Sequence, residues 1–298
     1  MAVPVQIPKG PLHIDINGFR VNATHSLETF QAALNYQPKP DNKFVVTFPK
    51  AGSTWTLQIG YLIFHWGVSP GSAKDFNDFS HFLDSFGVKS LDEEGPSGFI
   101  KTHLPYNLVP KNPQAKYLYV CRNPKDVCVS LYYHTRRFLC YEFADGQFED
   151  FFDIFMNGKT VGCDYFEHVL SWYEHRSDPN VMFVNYEDMK AEPKNYILKI
   201  AEFMSKKHYD VLVKDNKMLE KVVEYSGIEF MKTRAQHVFE NLFPGVAVDA
   251  HAPFIRKGIV GDWREHFSPK MSTRMEEKIL EKLAHTDLIS VWKEHKAM

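Results

Sequence analysis

Lysine, arginine and histidine recur in this sequence just where short apolar runs end. Phe44-Val45-Val46-Thr47-Phe48 is such a run, stopped by Pro49, and Lys50-Ala51-Gly52-Ser53-Thr54 follows it. Gly98-Phe99-Ile100-Lys101 leads into Thr102-His103-Leu104-Pro105. Lys116-Tyr117-Leu118-Tyr119-Val120-Cys121 leads into Arg122-Asn123-Pro124, and Val181-Met182-Phe183-Val184 into Asn185-Tyr186. If the four runs are neighbouring strands, two lysines, an arginine, a tyrosine and an imidazole meet beyond their carboxyl ends, where open parallel sheets bind ligands. That set makes an anion site containing one titratable base. At neutral pH an imidazole accepts a proton, so His103 is the candidate general base.

The segment after Lys50 supplies the rest of an anion cradle. Trp55-Thr56-Leu57-Gln58-Ile59-Gly60-Tyr61-Leu62-Ile63-Phe64 reads as a mostly buried helix entered through small residues. The first amides of a helix lack intrahelical partners, and its dipole favours negative charge at that end. Ser53 and Thr54 are expected to cap the helix and to offer hydroxyls to phosphate oxygens. A Walker loop places its lysine after the last glycine; here Lys50 precedes Gly52, at the strand end.

The elements that must position these residues alternate. Helices are expected from Lys125 to about Arg137, Tyr165 to Arg176, Pro193 to Met204 and around Met218 to Val223, with Ser272 to Leu283 as the final one. Residues 1–40 read as a loosely ordered lead-in holding a small strand, Leu12-His13-Ile14-Asp15-Ile16. Gly67 to Gly95 reads as loop with a short helix, and 230–265 as a long loop with little periodicity. Strands alternating with helices predict one α/β domain over 1–298, a central parallel sheet flanked by helices.

Bulk properties narrow the function. The 298 residues are 44% hydrophobic and 24% charged, with a formal net charge of −2, so anion binding is local and a nucleic-acid binder driven by global charge is not expected. The four cysteines, Cys121, Cys128, Cys140 and Cys163, lack metal or disulfide spacing, which suits a reducing, cytoplasmic location. No run reaches membrane-spanning length and the first residues lack a signal layout, so no membrane partner is expected.

Taken together, Pro49-Lys50-x-Gly52-Ser53-Thr54-Trp55, Lys101-Thr102-His103-Leu104-Pro105, Arg122-Asn123-Pro124-Lys125-Asp126-Val127 with Ser130, Tyr186-Glu187-Asp188-Met189 and Arg256-Lys257-Gly258-Ile259-Val260-Gly261-Asp262-Trp263 resemble the cytosolic sulfotransferase family in order and spacing. The resemblance covers roughly residues 40 to 265. It implies a P-loop-like phosphosulfate loop and 3′-phosphoadenosine-5′-phosphosulfate (PAPS) as sulfuryl donor. It further implies the bisphosphate PAP as product, a small-molecule acceptor and no required metal. It assigns His103, Lys50 and Lys101 to catalysis. To the donor it assigns Lys50, Ala51, Gly52, Ser53, Thr54, Trp55, Arg122, Ser130, Tyr186 and Ser226, together with Ile228, Phe254, Ile255, Arg256, Lys257 and Gly258, with 230–265 covering it. Arg122 and Ser130 would take the 3′-phosphate, for which a planar guanidinium is suited.

The sequence also departs from the family. Ser226-Gly227-Ile228-Glu229-Phe230-Met231 stands where Thr-Ser-Phe-x-x-Met is usual, so aromatic stacking on adenine is replaced by apolar contact at Ile228. Ala51 replaces the usual serine or threonine. The family's dimer motif would begin at Arg264 and meet Ser268, Pro269 and Thr273, a poor match, so a monomer or weak homodimer is expected. Phe82, Phe86, Tyr132, His134 and Phe138, with residues near Phe239 to Phe243, are the candidate lining of a pocket for a flat phenol or aryl amine. A kinase or NTPase fits less well, because no Gly-Lys-Ser/Thr order occurs and no acid ends the Tyr117 to Cys121 strand. A non-catalytic adenosine-phosphate binder would not need Lys50 and His103.

Overall fold

The computed structural model describes residues 1–88, 91 and 98–298. Its centre is a parallel sheet of β4 (Lys43–Thr47), β5 (Ser80–Phe82), β6 (Phe99–Thr102), β7 (Lys116–Cys121) and β8 (Val181–Asn185), in the spatial order β5-β6-β4-β7-β8. Strand alternation divides the core in two. Phe44, Val46, Tyr117 and Tyr119 bury on one face, with Trp172 and Trp292; Val45, Leu118 and Val120 bury on the other, with Leu57, Leu62 and Ile197. The expected α/β architecture, a central parallel sheet flanked by helices, is therefore the observed one. Register aligns the strand ends: Val45 pairs with Lys101 and Leu118, and Val120 with Thr47 and Val184.

Edge strand β5 is not legible in the sequence. Three residues carry no period, and it forms by pairing Ser80 to Phe82 with Phe99 to Lys101. A helix, Ala73–Phe79, precedes it and a short one, Leu83–Phe86, follows, so more of this stretch is regular than the expected loop. The part of that expected loop at 89–90 and 92–95 lies outside the described residues.

The first forty residues are not a loose lead-in. Strands β1 (Ala2–Gln6), β2 (Leu12–Ile16) and β3 (Phe19–Val21) form an antiparallel sheet, and Ser26 caps a helix, Leu27–Leu34. Asn17 and Gly18 connect β2 to β3 with φ of 55° and 86°, the paired positive angles of a tight hairpin turn. Ile16, Phe19, Val21 and Phe30 bury in the main core, which is what holds this segment down.

The stretch 230–265 is likewise only partly irregular. Helices Ile228–Thr233 and Gln236–Phe239 occupy its start and a 3-10 turn, Asp262–Glu265, its end. The irregular part is pinned. Asp126 Oδ2 accepts from Gly261 N at 2.8 Å and its Oδ1 from Trp263 N at 3.1 Å. Arg137 holds the other end, donating to Glu240 at 2.7 Å and to the Ala252 carbonyl. The helix expected from Ser272 begins at Pro269, capped by Ser268, and is not the last: Leu288–Glu294 follows and buries Trp292 completely.

Candidate active site

Beyond the carboxyl ends of β4, β6 and β7 lies a cavity of about 380 Å³. Its charged end is built on the turn after β4. Lys50 adopts φ 70° and Gly52 φ 125°, and a Cβ on Gly52 would stand 3.0 Å from the Tyr186 ring. Glycine is what lets the chain turn here over an aromatic face. Helix Ser53–Phe64 then starts with Gly52 as its N-cap and without a side-chain cap. Ser53 and Thr54 are therefore the first helical residues, not caps as expected, and the first amides of that helix are left for another acceptor. Ala51 does not reach the cavity; it is buried in the core, with its N–H on Phe48 O at 3.0 Å.

Cations converge on that end. Lys50 Nζ lies 4.7 Å from the Phe254 ring centroid, and Lys101 Nζ 3.8 Å from that of Phe82. Burial, reinforced by Lys101, Arg122, Arg137 and Arg256, lowers the Lys50 amine to about 7. Burial lowers Lys101 to about 8, against the pull of Asp84. Arg122 is 7% exposed, sits 4.4 Å over the Tyr186 ring, donates to Ile259 O at 3.3 Å, and leaves its Nε buried without a partner among the described residues. Ser130 lines the same cavity from the helix Pro124–Arg137. Such packing of positive charge is costly unless an anion shares the space.

Donor-side residues assigned from the resemblance mostly meet here. Trp55 lines the cavity edge-on to Tyr186 at 5.1 Å and packs against the core behind it. Ile228 and Gly258 face one another; a Cβ on Gly258, which has φ 63°, would fall 2.6 Å from Ile228 Cδ1. Phe254 and Ile255 line the wall. Ser226 also lines it, but its hydroxyl turns back to donate to Val222 O at 2.7 Å. Arg256 and Lys257 border the cavity while both bind Asp262, Lys257 at 2.8 Å. Asp262, Glu265 and His266 bring possible ligand atoms within 4.8 Å of one another, yet Asp262 already carries these two cations.

His103 is oriented by its neighbours. Its Nδ1 lies 2.8 Å from the Thr47 carbonyl, which can only accept, so Nδ1 carries the proton and Nε2 is the basic nitrogen. Its backbone N–H donates to Asp84 Oδ2 at 2.6 Å, while Thr102 Oγ1 donates to Oδ1 at 2.5 Å. Burial, with Lys101 close by, holds the imidazole well below the usual histidine range, so it is a neutral base. Burial also pushes Asp84 up to about 6, against those hydrogen bonds. Thr47 and Asp84 were missed by sequence reasoning, and no spacing signals either one: the first acts through a carbonyl, and the second follows a strand too short to read.

Of the residues assigned to an acceptor pocket, Phe82, Phe86, His134 and Phe138 line the cavity, with Phe243 from the late segment; Phe239 is core. Tyr132 does not. It points away, donating to Gly146 O at 2.9 Å among Phe148 and Phe151, because its neighbour Tyr133 takes the cavity-facing helical position. Missed lining residues include His25, Tyr141 and Gly162, brought in by the ordered N-terminal segment and by distant turns.

A parallel sheet, an uncapped helix end after its first parallel strand and convergent cations around a neutral imidazole define an α/β enzyme that handles a phosphorylated or sulfated ligand. Residues 40–287 match the family described as "Sulfotransferase domain". A rabbit (Oryctolagus cuniculus) amine sulfotransferase is 35% identical over 266 residues, 87% of this chain and 86% of the relative. The human (Homo sapiens) sulfotransferase 1E1 is 31% identical over 264 residues, covering 85% and 87%. Among solved structures, mouse sulfotransferase SULT7A1 complexed with PAP aligns with TM-score 0.77 and 26% identity over 95% of this chain and 99% of that one. Retinol dehydratase in complex with androsterone and PAP aligns at 0.73 and 26% identity, covering 93% and 90%. The chain belongs to the sulfotransferase family and is an enzyme of that class.

Proposed function

We propose that this protein transfers a sulfuryl group from PAPS to a hydroxyl or amine of a small aromatic acceptor and releases PAP. The observation that carries the reading is His103 Nε2, left basic by the Thr47 carbonyl at the same cavity as Lys50 and Lys101. A bisphosphate fits the residues present. The uncapped amides after Gly52, with Lys50, suit a 5′-phosphate; the unpartnered Nε of Arg122, with Ser130, suits the 3′-phosphate. The donor supplies the sulfuryl group. His103 Nε2 would take the acceptor's proton as the acceptor's oxygen or nitrogen bonds to sulfur and the bond from sulfur to the 5′-phosphate oxygen breaks. Lys50 and Lys101 offset the charge that collects on the departing phosphate oxygen and on the sulfuryl oxygens.

Trp55, Ile228, Phe254 and Ile255 form the walls against adenine, and Arg256 to Gly258 cover the nucleotide from the late segment. Phe82, Phe138 and Phe243 suit a flat ring on the acceptor side. Four free cysteines suit a reducing cytoplasm, and a formal net charge of −2 gives no reason for nucleic acid as a partner. Among the described residues no helix is long and apolar enough to cross a membrane. Arg264 is spent within the chain on the Lys296 and Met298 carbonyls, and Ser268 on a helix cap, which favours a monomer or weak homodimer. The test is transfer of radiolabelled sulfate from PAPS to a panel of phenols, alcohols and amines. Folded protein that neither binds PAP nor sulfates any acceptor would overturn the reading.

A further inference from the structure

At the acceptor end, three polar side chains from two separate segments form a directed chain. Asn22 Oδ1 accepts from Thr24 N at 2.9 Å and from Thr24 Oγ1 at 2.5 Å. The Thr24 backbone N–H can only donate, which identifies its partner as the amide oxygen. His25 Nδ1 lies 2.9 Å from the same oxygen and so must be the protonated nitrogen. That leaves His25 Nε2 as an acceptor, 3.0 Å from Ser85 Oγ. The Ser85 proton is therefore committed to His25, and the hydroxyl has only lone pairs to offer. Burial, helped by Lys101, lowers His25 to about 4, so the imidazole stays neutral and the direction of the chain is fixed at working pH.

Asn22, His25 and Ser85 all line the cavity. Phe82 stands between this group and the base: its ring centroid is 6.3 Å from that of His25 and 5.2 Å from that of His103, edge-on to both. The two imidazoles are thus one ring apart along one wall. Asp84, the acidic group in that lining, has its two oxygens taken by Thr102 and His103 and is 3% exposed.

Resting on the sulfuryl-transfer reading, we propose that Ser85, polarised by His25 and Asn22, selects acceptors that carry a second hydrogen-bond donor. That donor would be a hydroxyl or N–H about one aromatic ring away from the hydroxyl that is sulfated. A diphenol meets the requirement; its monomethyl ether keeps the reactive phenol, is larger by one methyl group, and presents only an acceptor to an acceptor. Two facing acceptors forfeit a hydrogen bond and leave both desolvated.

The experiment compares kcat/KM, per reactive hydroxyl, for hydroquinone and resorcinol with that for their monomethyl ethers. The intact enzyme is expected to prefer at least one diphenol by about 3- to 10-fold, the range of one neutral hydrogen bond. Ser85→Ala brings that ratio close to one. His25→Phe also lowers it, by a different route: Ser85 regains its proton and can donate to the ether. Nitrogen NMR of His25 in the intact protein checks the chain independently, with Nδ1 expected protonated. Turnover of all four compounds with a ratio near one in the intact enzyme overturns the proposal while leaving sulfuryl transfer standing. So does a preference that survives in both variants. Absence of turnover with every acceptor strikes the underlying reading instead.

Discussion

Lys50 makes the strongest quantitative test of how this site handles charge. Its amine is lowered to about 7 because it is buried among Lys101, Arg122, Arg137 and Arg256. A bound phosphate reverses the balance and holds the ammonium form, so binding PAP must draw in a proton. The sign follows: a group whose pKa rises on binding favours the complex at low pH, and affinity is lost as pH rises through the free value. For a single amine titrating near 7 and fully protonated when bound, the apparent Kd grows as one plus ten to the power of pH minus 7. It is raised about 1.3-fold at pH 6.5 and about 32-fold at pH 8.5, a weakening of about 25-fold across the interval. Phosphate groups ionise further over the lower part of this range, near a pKa of about 6, and pull the other way. Lys50→Arg supplies the reference, since a guanidinium stays charged throughout. Titration calorimetry of PAP at pH 6.5, 7.5 and 8.5, in two buffers of different ionisation heat, gives Kd and proton uptake together. The native protein is expected to take up close to one more proton at pH 8.5 than Lys50→Arg, and to lose affinity more steeply. Parallel profiles with equal uptake would refute the reasoning, whatever the absolute affinities.

Three other outcomes are expected. His103→Ala keeps PAP affinity and lowers turnover by roughly 10²-fold or more, the general-base range; because His103 is held well below the usual histidine range, its titration gives native turnover no fall near 6.5, and a fall there that persists in Asp84→Asn, which removes the carboxyl pushed up to about 6, would contradict the assignment. Gly52→Ala forces a side chain onto φ 125° and against Tyr186 at 3.0 Å, so thermal unfolding should show a loss of roughly 1–3 kcal/mol, together with weaker PAP binding. Arg122→Ala raises the KM for PAPS, and much less that for a donor lacking the 3′-phosphate; equal losses for the two donors would remove the 3′-phosphate from its role.

Much of this enzyme can be read from short stretches. Runs such as Phe44 to Phe48 and Lys116 to Cys121 announce buried strands, because both faces of a parallel sheet demand apolar side chains. Lys50, Lys101, His103 and Arg122 could be placed at strand ends for the same reason. Local pattern failed where pairing partners lie far away in the chain. Strand β5 exists through the edge of β6, and the first forty residues are held by core contacts of Ile16, Phe19, Val21 and Phe30, although the Asn17-Gly18 turn was a legible hairpin signal.

What sequence alone determined is which residues are candidates for the reacting groups and the order of the elements that carry them, since residue type sets charge and periodicity sets strand or helix. Only the tertiary structure decided which nitrogen of His103 is basic, that Tyr133 and not Tyr132 faces the cavity, and that Ser85 reaches His25. Those facts depend on a carbonyl, a helix rotation and a contact across 60 residues of chain, and none of them leaves a mark on composition or spacing.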